Sequence, residues 1–200
     1  MSPTIRIDDE VFKELQGRAQ PFVDTPNDVI RRLLDLDRSP PTGTPSIQAQ
    51  LRRVLEKLID EDAAFELDHS TMGYIKFAPK SWASPQLRDS GAGSGRILTF
   101  LIINREQLRL HLEIQPPRDP SQQAIRARIH EVARTTPPFE VGRRKLSPVY
   151  GRIFRRDILK PEDYKQPMDW IERQVKQAFD AFKRNDFPVI DKVIQGIEFA

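Results

Sequence analysis

Residues 143–160 hold seven cations, Arg143, Arg144, Lys145, Arg152, Arg155, Arg156 and Lys160, and a single acid, Asp157. Guanidinium groups grip phosphate oxygens in two-point contacts and lysines add point charge, so such a run has the chemistry to hold a polyanion. Tyr150 and Phe154 are interleaved with these cations, and aromatic faces stack on unpaired bases. The same residues would also serve as a solvated basic face or as a surface for an acidic protein. In regular strand geometry Arg152 shares a face with Tyr150 and Phe154. Either an aromatic then sits near solvent or the strand is irregular.

The 200-residue chain carries 32 Lys and Arg against 29 Asp and Glu, a formal charge of +3, but the excess is local. Residues 1–38 are net −2, residues 39–117 neutral, residues 118–160 net +7 and residues 161–200 net −2. Concentrated positive charge is the footprint of a nucleic-acid partner. No stretch approaches the roughly 20 apolar residues of a membrane span. The start of the chain lacks a basic-then-apolar leader, which predicts a cytoplasmic protein. The absence of cysteine excludes disulfides, thiolate nucleophiles and zinc–thiolate sites.

Acid–base chemistry has fewer candidates. His69, His111 and His130 are widely spaced, which argues against a metal cluster. His111 and Glu113 fall on one strand face, as an acid–base pair or an exposed polar row would. A metal-dependent nuclease needs an Asp near one strand end and an acid-x-Lys on the next, to hold magnesium and activate water. Glu113-Ile114-Gln115 is the nearest match; Gln stands where the lysine should be, no Asp lies in the preceding strand, and Asp89, in the loop before it, is the one Asp candidate nearby. Gly91-Ala92-Gly93-Ser94-Gly95 lacks the Lys-Ser/Thr of a phosphate-binding loop, and no G-x-S-x-G nucleophile motif occurs. The sequence therefore predicts no catalytic residue, no cofactor and no metal.

The elements that must position these residues lie in a C-terminal unit, 47–200. Residues 47–62 read as an amphipathic helix with Ile47, Leu51, Val54, Leu55, Leu58 and Ile59 on one stripe. Tyr74 to Phe77 and Ile97 to Ile103 read as strands, the second buried on both faces. Leu108 to Ile114 alternates, with Leu108, Leu110, Leu112 and Ile114 inward and Arg109, His111 and Glu113 outward. A helix over 121–134 turns Ile125, Ile129 and Val132 inward and Arg126, Arg128 and Arg134 outward. A strand around Val149 to Phe154 and helices over 168–184 and 188–196 complete an α+β unit with a mostly antiparallel sheet. Within it, Ile103-Asn104-Arg105, Arg144-Lys145-Leu146-Ser147 and Phe182 with Asn185-Asp186 resemble the C-terminal accessory region of some PD-(D/E)XK nuclease-family proteins. That resemblance implies a restriction or defence context.

Residues 1–37 read strand, helix, helix. Thr4-Ile5-Arg6-Ile7 alternates, Asp8 is a natural N-cap with Asp9 and Glu10 in the first turn, and Val11, Phe12 and Leu15 form the apolar side. Thr25, Pro26 and Asp28 start a second helix. So small a unit cannot bury enough surface alone, and a lone strand leaves its backbone unpaired, so the pattern calls for two copies. Thr4 to Val11 and Thr25 to Leu34 resemble a ribbon-helix-helix domain, of the kind found as the N-terminal oligomerisation domain of the negative modulator of replication initiation. The resemblance implies a swapped homodimer whose ribbon lies in the DNA major groove. Thr4 and Arg6 would contact bases, and Thr25 to Asn27, at the start of the second helix, would bind phosphate. Asp24 beside that turn, and the net acidity of the unit, oppose strong non-specific DNA binding.

Segment 38–46, with three prolines and a glycine, reads as a linker. The expectation is thus a dimeric DNA-binding regulator with base contacts from Thr4 and Arg6. Its phosphate contacts would come from Thr25, Asn27, Arg143, Arg144, Lys145, Arg152, Arg155 and Arg156. The alternatives are a non-catalytic assembly subunit that recruits a protein partner of a defence system, and a degenerate nuclease.

Overall fold

The computed structural model describes residues 8–18, 30, 45–88, 95–141 and 145–199. The chain divides between Pro45 and Ser46 into two units. In the first, α1 spans Asp9–Arg18, and the Val11 amide donates to the Asp8 carboxylate at 2.9 Å, the N-cap expected from sequence. Leu15 is buried, but Val11 and Phe12 are more than two-fifths exposed, so α1 presents apolar surface that the described residues leave uncovered. The ribbon Thr4 to Ile7, the second helix apart from Ile30, and residues 38–44 lie outside the described residues.

The second unit opens with α2, Ile47–Asp60, started by Ser46, whose hydroxyl accepts from the Ala49 amide at 3.2 Å. Leu51, Leu55 and Ile59, one turn apart, are fully buried, and Ile47, Val54 and Leu58 flank them. Five strands follow: β1 (Phe65–Ser70), β2 (Tyr74–Pro79), β3 (Leu98–Asn104), β4 (Leu108–Ile114) and β5 (Gly151–Leu159). They form one antiparallel sheet in the order β1-β2-β3-β4-β5. Between β4 and β5 lies α3 (Ser121–Thr135); α4 (Met168–Ala181), a π-helical turn (Phe182–Asp186) and α5 (Phe187–Gln195) end the chain.

One face of the sheet carries an aromatic core. Phe65, Phe77 and Phe100 come from three adjacent strands, and Phe179, Phe182 and Phe187 descend on them from the C-terminal helices. Ring centroids lie 4.8 Å apart for Phe65–Phe187 and 5.1 Å for Phe100–Phe182, tilted or edge-on as ring quadrupoles prefer. Polar clamps fix the cover. Lys183 reaches Asp62 at 2.8 Å, and Trp82 Nε1 donates to Asp191 at 2.8 Å.

Several readings change. Strand β1 was not visible in the sequence, because Glu66, Asp68 and His69 break its apolar pattern. Strand β5 runs to Leu159, five residues beyond the expected end. His111 and Glu113, expected to face solvent, are each 4% exposed. Arg126, expected on the outer face of α3, is completely buried. Its guanidinium donates to the carbonyls of Gln115 at 2.8 Å, Ser147 at 2.9 Å and Val149 at 3.0 Å. A buried cation surrounded by carbonyls satisfies backbone acceptors that the loop before β5 cannot satisfy itself.

Arg126 therefore sets the path of the chain into β5. Arg126→Leu keeps bulk but strands three carbonyls, and a loss of about 3 kcal/mol is expected in urea unfolding of the full chain. A loss below about 1 kcal/mol would show that water replaces the guanidinium without penalty.

Candidate nucleic-acid interface

The face opposite the aromatic core is polar. From β2 to β5 one row reads Lys76, Leu101, His111 and Arg155, and the next holds Thr99, Glu113 and Arg152. Hydrogen bonds run across it. Lys76 Nζ donates to Gln115 Oε1 at 3.0 Å, and Gln115 Nε2 donates to Thr99 Oγ1 at 2.8 Å and Glu113 Oε2 at 3.3 Å. Arg152 Nε donates to Glu113 Oε1 at 3.2 Å. Gln115, which stands where a nuclease lysine would be, thus serves as a relay between a lysine and a carboxylate. Among the described residues no three His, Asp or Glu come together as a ligand set for a metal.

Strand β5 is irregular and Tyr150 is also nearly half exposed, so both outcomes allowed by Arg152 sharing a face with Tyr150 and Phe154 occur. Leu112 pairs with Phe154 and Glu113 with Arg152, so Ile153 is an extra residue, a β-bulge. The bulge turns Phe154 into the aromatic core and Arg152 to the polar face. The Ile153 carbonyl, released from the ladder, accepts from the Glu140 amide at 2.8 Å.

The expected cations separate into groups. Arg152 and Arg155 are half-exposed on the polar face, and Lys145 is exposed in the loop before β5. Arg155 binds both oxygens of Asp157, at 3.2 and 3.0 Å, and Arg109 of β4 joins the same carboxylate at 2.6 Å. Arg156 pairs with Leu110, and its guanidinium bonds Asp186 of the π-helical turn, so it does not share the surface of Arg152 and Arg155. Arg143 and Arg144, like Thr4, Arg6, Thr25 and Asn27, lie outside the described residues. The site thus gains three members that the charge run did not contain: Lys76, Arg109 and Glu113. Arg109 was legible as an outward residue of β4, but its pairing with Asp157 depends on strand register.

Electrostatics follow from this crowding. Among the described residues, three guanidiniums share the carboxylates of Glu113 and Asp157, Glu140 acts on Arg155 from further off, and two lysines keep the balance positive. Asp157 is held below the ordinary carboxylate range, first by its hydrogen bonds from Arg155 and then by Arg109. His111 is pushed down to about 4, mainly by burial and then by Arg152, Arg109 and Arg155 around it. The nearby Phe154 carbonyl acts weakly in the other direction, without a well-formed hydrogen bond to either ring nitrogen. His111 is therefore a neutral ring beneath a layer of arginines.

A cavity of about 350 Å³ opens at the β5 end of this face, with Glu113, His130, Val141, Lys145, Tyr150 and Arg152 in its wall. Gly151 also lines it, and a Cβ there would meet Leu146 Cδ1 at 2.6 Å, so a larger residue would push that leucine end aside. A larger cavity of about 650 Å³ lies at the start of α3, but it gathers fewer convergent polar groups.

Between pH values of about 6.5 and 4 the unfolded chain takes up a proton that folded His111 refuses, so stability falls on acidification through that window and levels off below it. The expected loss is on the order of 3 kcal/mol. His111→Leu should remove most of this slope when unfolding is measured at both ends of the window; an unchanged slope would assign it to other groups. In comparisons with protein-family models, curated proteins and solved structures, nothing matches this chain.

Proposed function

We propose that this chain is a DNA-binding protein that acts as a homodimer, most simply as a transcriptional regulator. In this reading the N-terminal unit supplies dimerisation and base contacts through Thr4 and Arg6. The C-terminal sheet grips the phosphate backbone through Lys145, Arg152 and Arg155, with Lys76 and Arg109 beside them, and carries no chemistry of its own. Arg143 and Arg144 add to the same charge in sequence.

The observation that carries this reading is the polar sheet face. Among the described residues, three guanidiniums and two lysines there face the carboxylates of Glu113 and Asp157, with Glu140 acting on Arg155 from further off, and the Arg155–Asp157 pair is half-exposed. Ion pairs in such surroundings contribute little stability, so a phosphate displaces Asp157 at small cost. The exposed apolar residues Val11 and Phe12 on α1 support the dimer, because a second copy would cover them.

Binding of duplex DNA by the full chain, followed by fluorescence anisotropy over a salt series, tests the phosphate grip. The double change Lys145→Gln and Arg155→Gln should weaken binding on every sequence and flatten the slope of log affinity against log salt by roughly two units. A slope that does not change removes the sheet from the interface. Arg6→Ala should instead blur sequence preference and leave the slope within about one unit. Sedimentation equilibrium should give twice the 23.1 kDa chain mass; a monomer at micromolar concentration would contradict the dimer.

A further inference from the structure

We propose that the cavity beside Glu113 binds one guanine nucleotide, either a guanosine phosphate unit in an unpaired stretch of nucleic acid or the free mononucleotide. The inference rests on the nucleic-acid reading of the same face and names what that face recognises.

Glu113 is 4% exposed and is one of the residues that line the cavity. A carboxylate has about four acceptor positions. Among the described residues two donors engage it, by long contacts from Arg152 at 3.2 Å and Gln115 at 3.3 Å. Guanine is the one common base whose pairing edge offers two adjacent N–H donors, N1–H and N2–H, to a single carboxylate. Adenine, cytosine and thymine each offer one group there, beside acceptors that a carboxylate repels.

The remaining wall suits a flat ring with a phosphate at its edge. Tyr150 is nearly half exposed, and Lys76 Nζ sits 5.7 Å from the centre of its ring. Tyr150 therefore provides a positioned stacking surface of the kind that holds unpaired bases. Val141 supplies apolar wall, and His130, kept below its ordinary basicity mainly by burial, is a neutral hydrogen-bonding group. Lys145 and Arg152 bring the cations a phosphate needs. The volume of about 350 Å³ lies at the small end of ligand pockets, which run from roughly 300 to 1,000 Å³.

The test uses the full chain and labelled oligothymidine strands with or without one central dG, with GMP and AMP as competitors. The dG strand should bind about tenfold more tightly, as two-point base recognition gives. Glu113→Gln replaces one acceptor oxygen by a donor and should abolish that difference; Tyr150→Leu should reduce it while leaving Glu113 in place. Displacement by GMP but not AMP identifies the free nucleotide as a ligand; a dG preference without displacement identifies the nucleic acid as the source. The pocket is overturned if the dG preference and GMP displacement are both absent, or if Glu113→Gln retains the preference. Salt-dependent duplex binding would survive either result, so the pocket and the phosphate grip fail separately.

Discussion

The bulge at Ile153 sets the two-sided character of the C-terminal unit. In a regular strand, residues three apart point to opposite faces. The extra residue brings Arg152 and Arg155 onto one face and sends Phe154 to the other. Without it, either a guanidinium would enter the aromatic core or Phe154 would leave it. Burying an unpaired charge costs several kcal/mol and exposing a phenylalanine costs about 2 kcal/mol, so the bulge is favoured over either alternative. The local disruption is small, because Glu140 satisfies the freed carbonyl.

Two kinds of buried charge hold the polar side in place. Arg126 is wrapped by backbone carbonyls, whereas Glu113 is reached by Arg152 and by Gln115, which Lys76 also contacts. The first fixes the loop that feeds β5 and the second ties β2, β4 and β5 across the sheet. Together they allow a polar surface to keep a defined shape beside water, where single exposed ion pairs would not.

Much of the C-terminal fold was legible because its residues obey simple periods. The alternation Leu108, Leu110, Leu112, Ile114 located β4, and Leu51, Leu55 and Ile59 located α2. Alternation separates two faces of a strand but does not tell which are covered, and so His111 and Glu113 were assigned to solvent. A charge reads as outward until its partners are known, and the carbonyls that hold Arg126 lie 11 to 23 residues away in sequence. The same holds for Arg156, whose partner Asp186 is 30 residues distant. The sequence narrows β5 to two outcomes, a solvent-near aromatic or an irregular strand, because Arg152 shares an expected face with Tyr150 and Phe154. Its outcome, which residue would become the extra one, required the register with Leu112 and Glu113.

The strand order has a kinetic meaning. Each strand pairs with the one before it in sequence, so the sheet can grow strand by strand, with short loops to close between β1 and β2 and between β3 and β4 and longer connections over residues 80–97 and through α3. The aromatic core has the opposite character, since Phe65 must meet Phe182 and Phe187 from the far end of the chain. Contacts between distant residues carry the larger entropic barrier and form late. A chain emerging from the ribosome would therefore expose the underside of a nearly complete meander until its last two helices are made. Lys183 and Asp191, which latch those helices to Asp62 and Trp82, act at the end of that process.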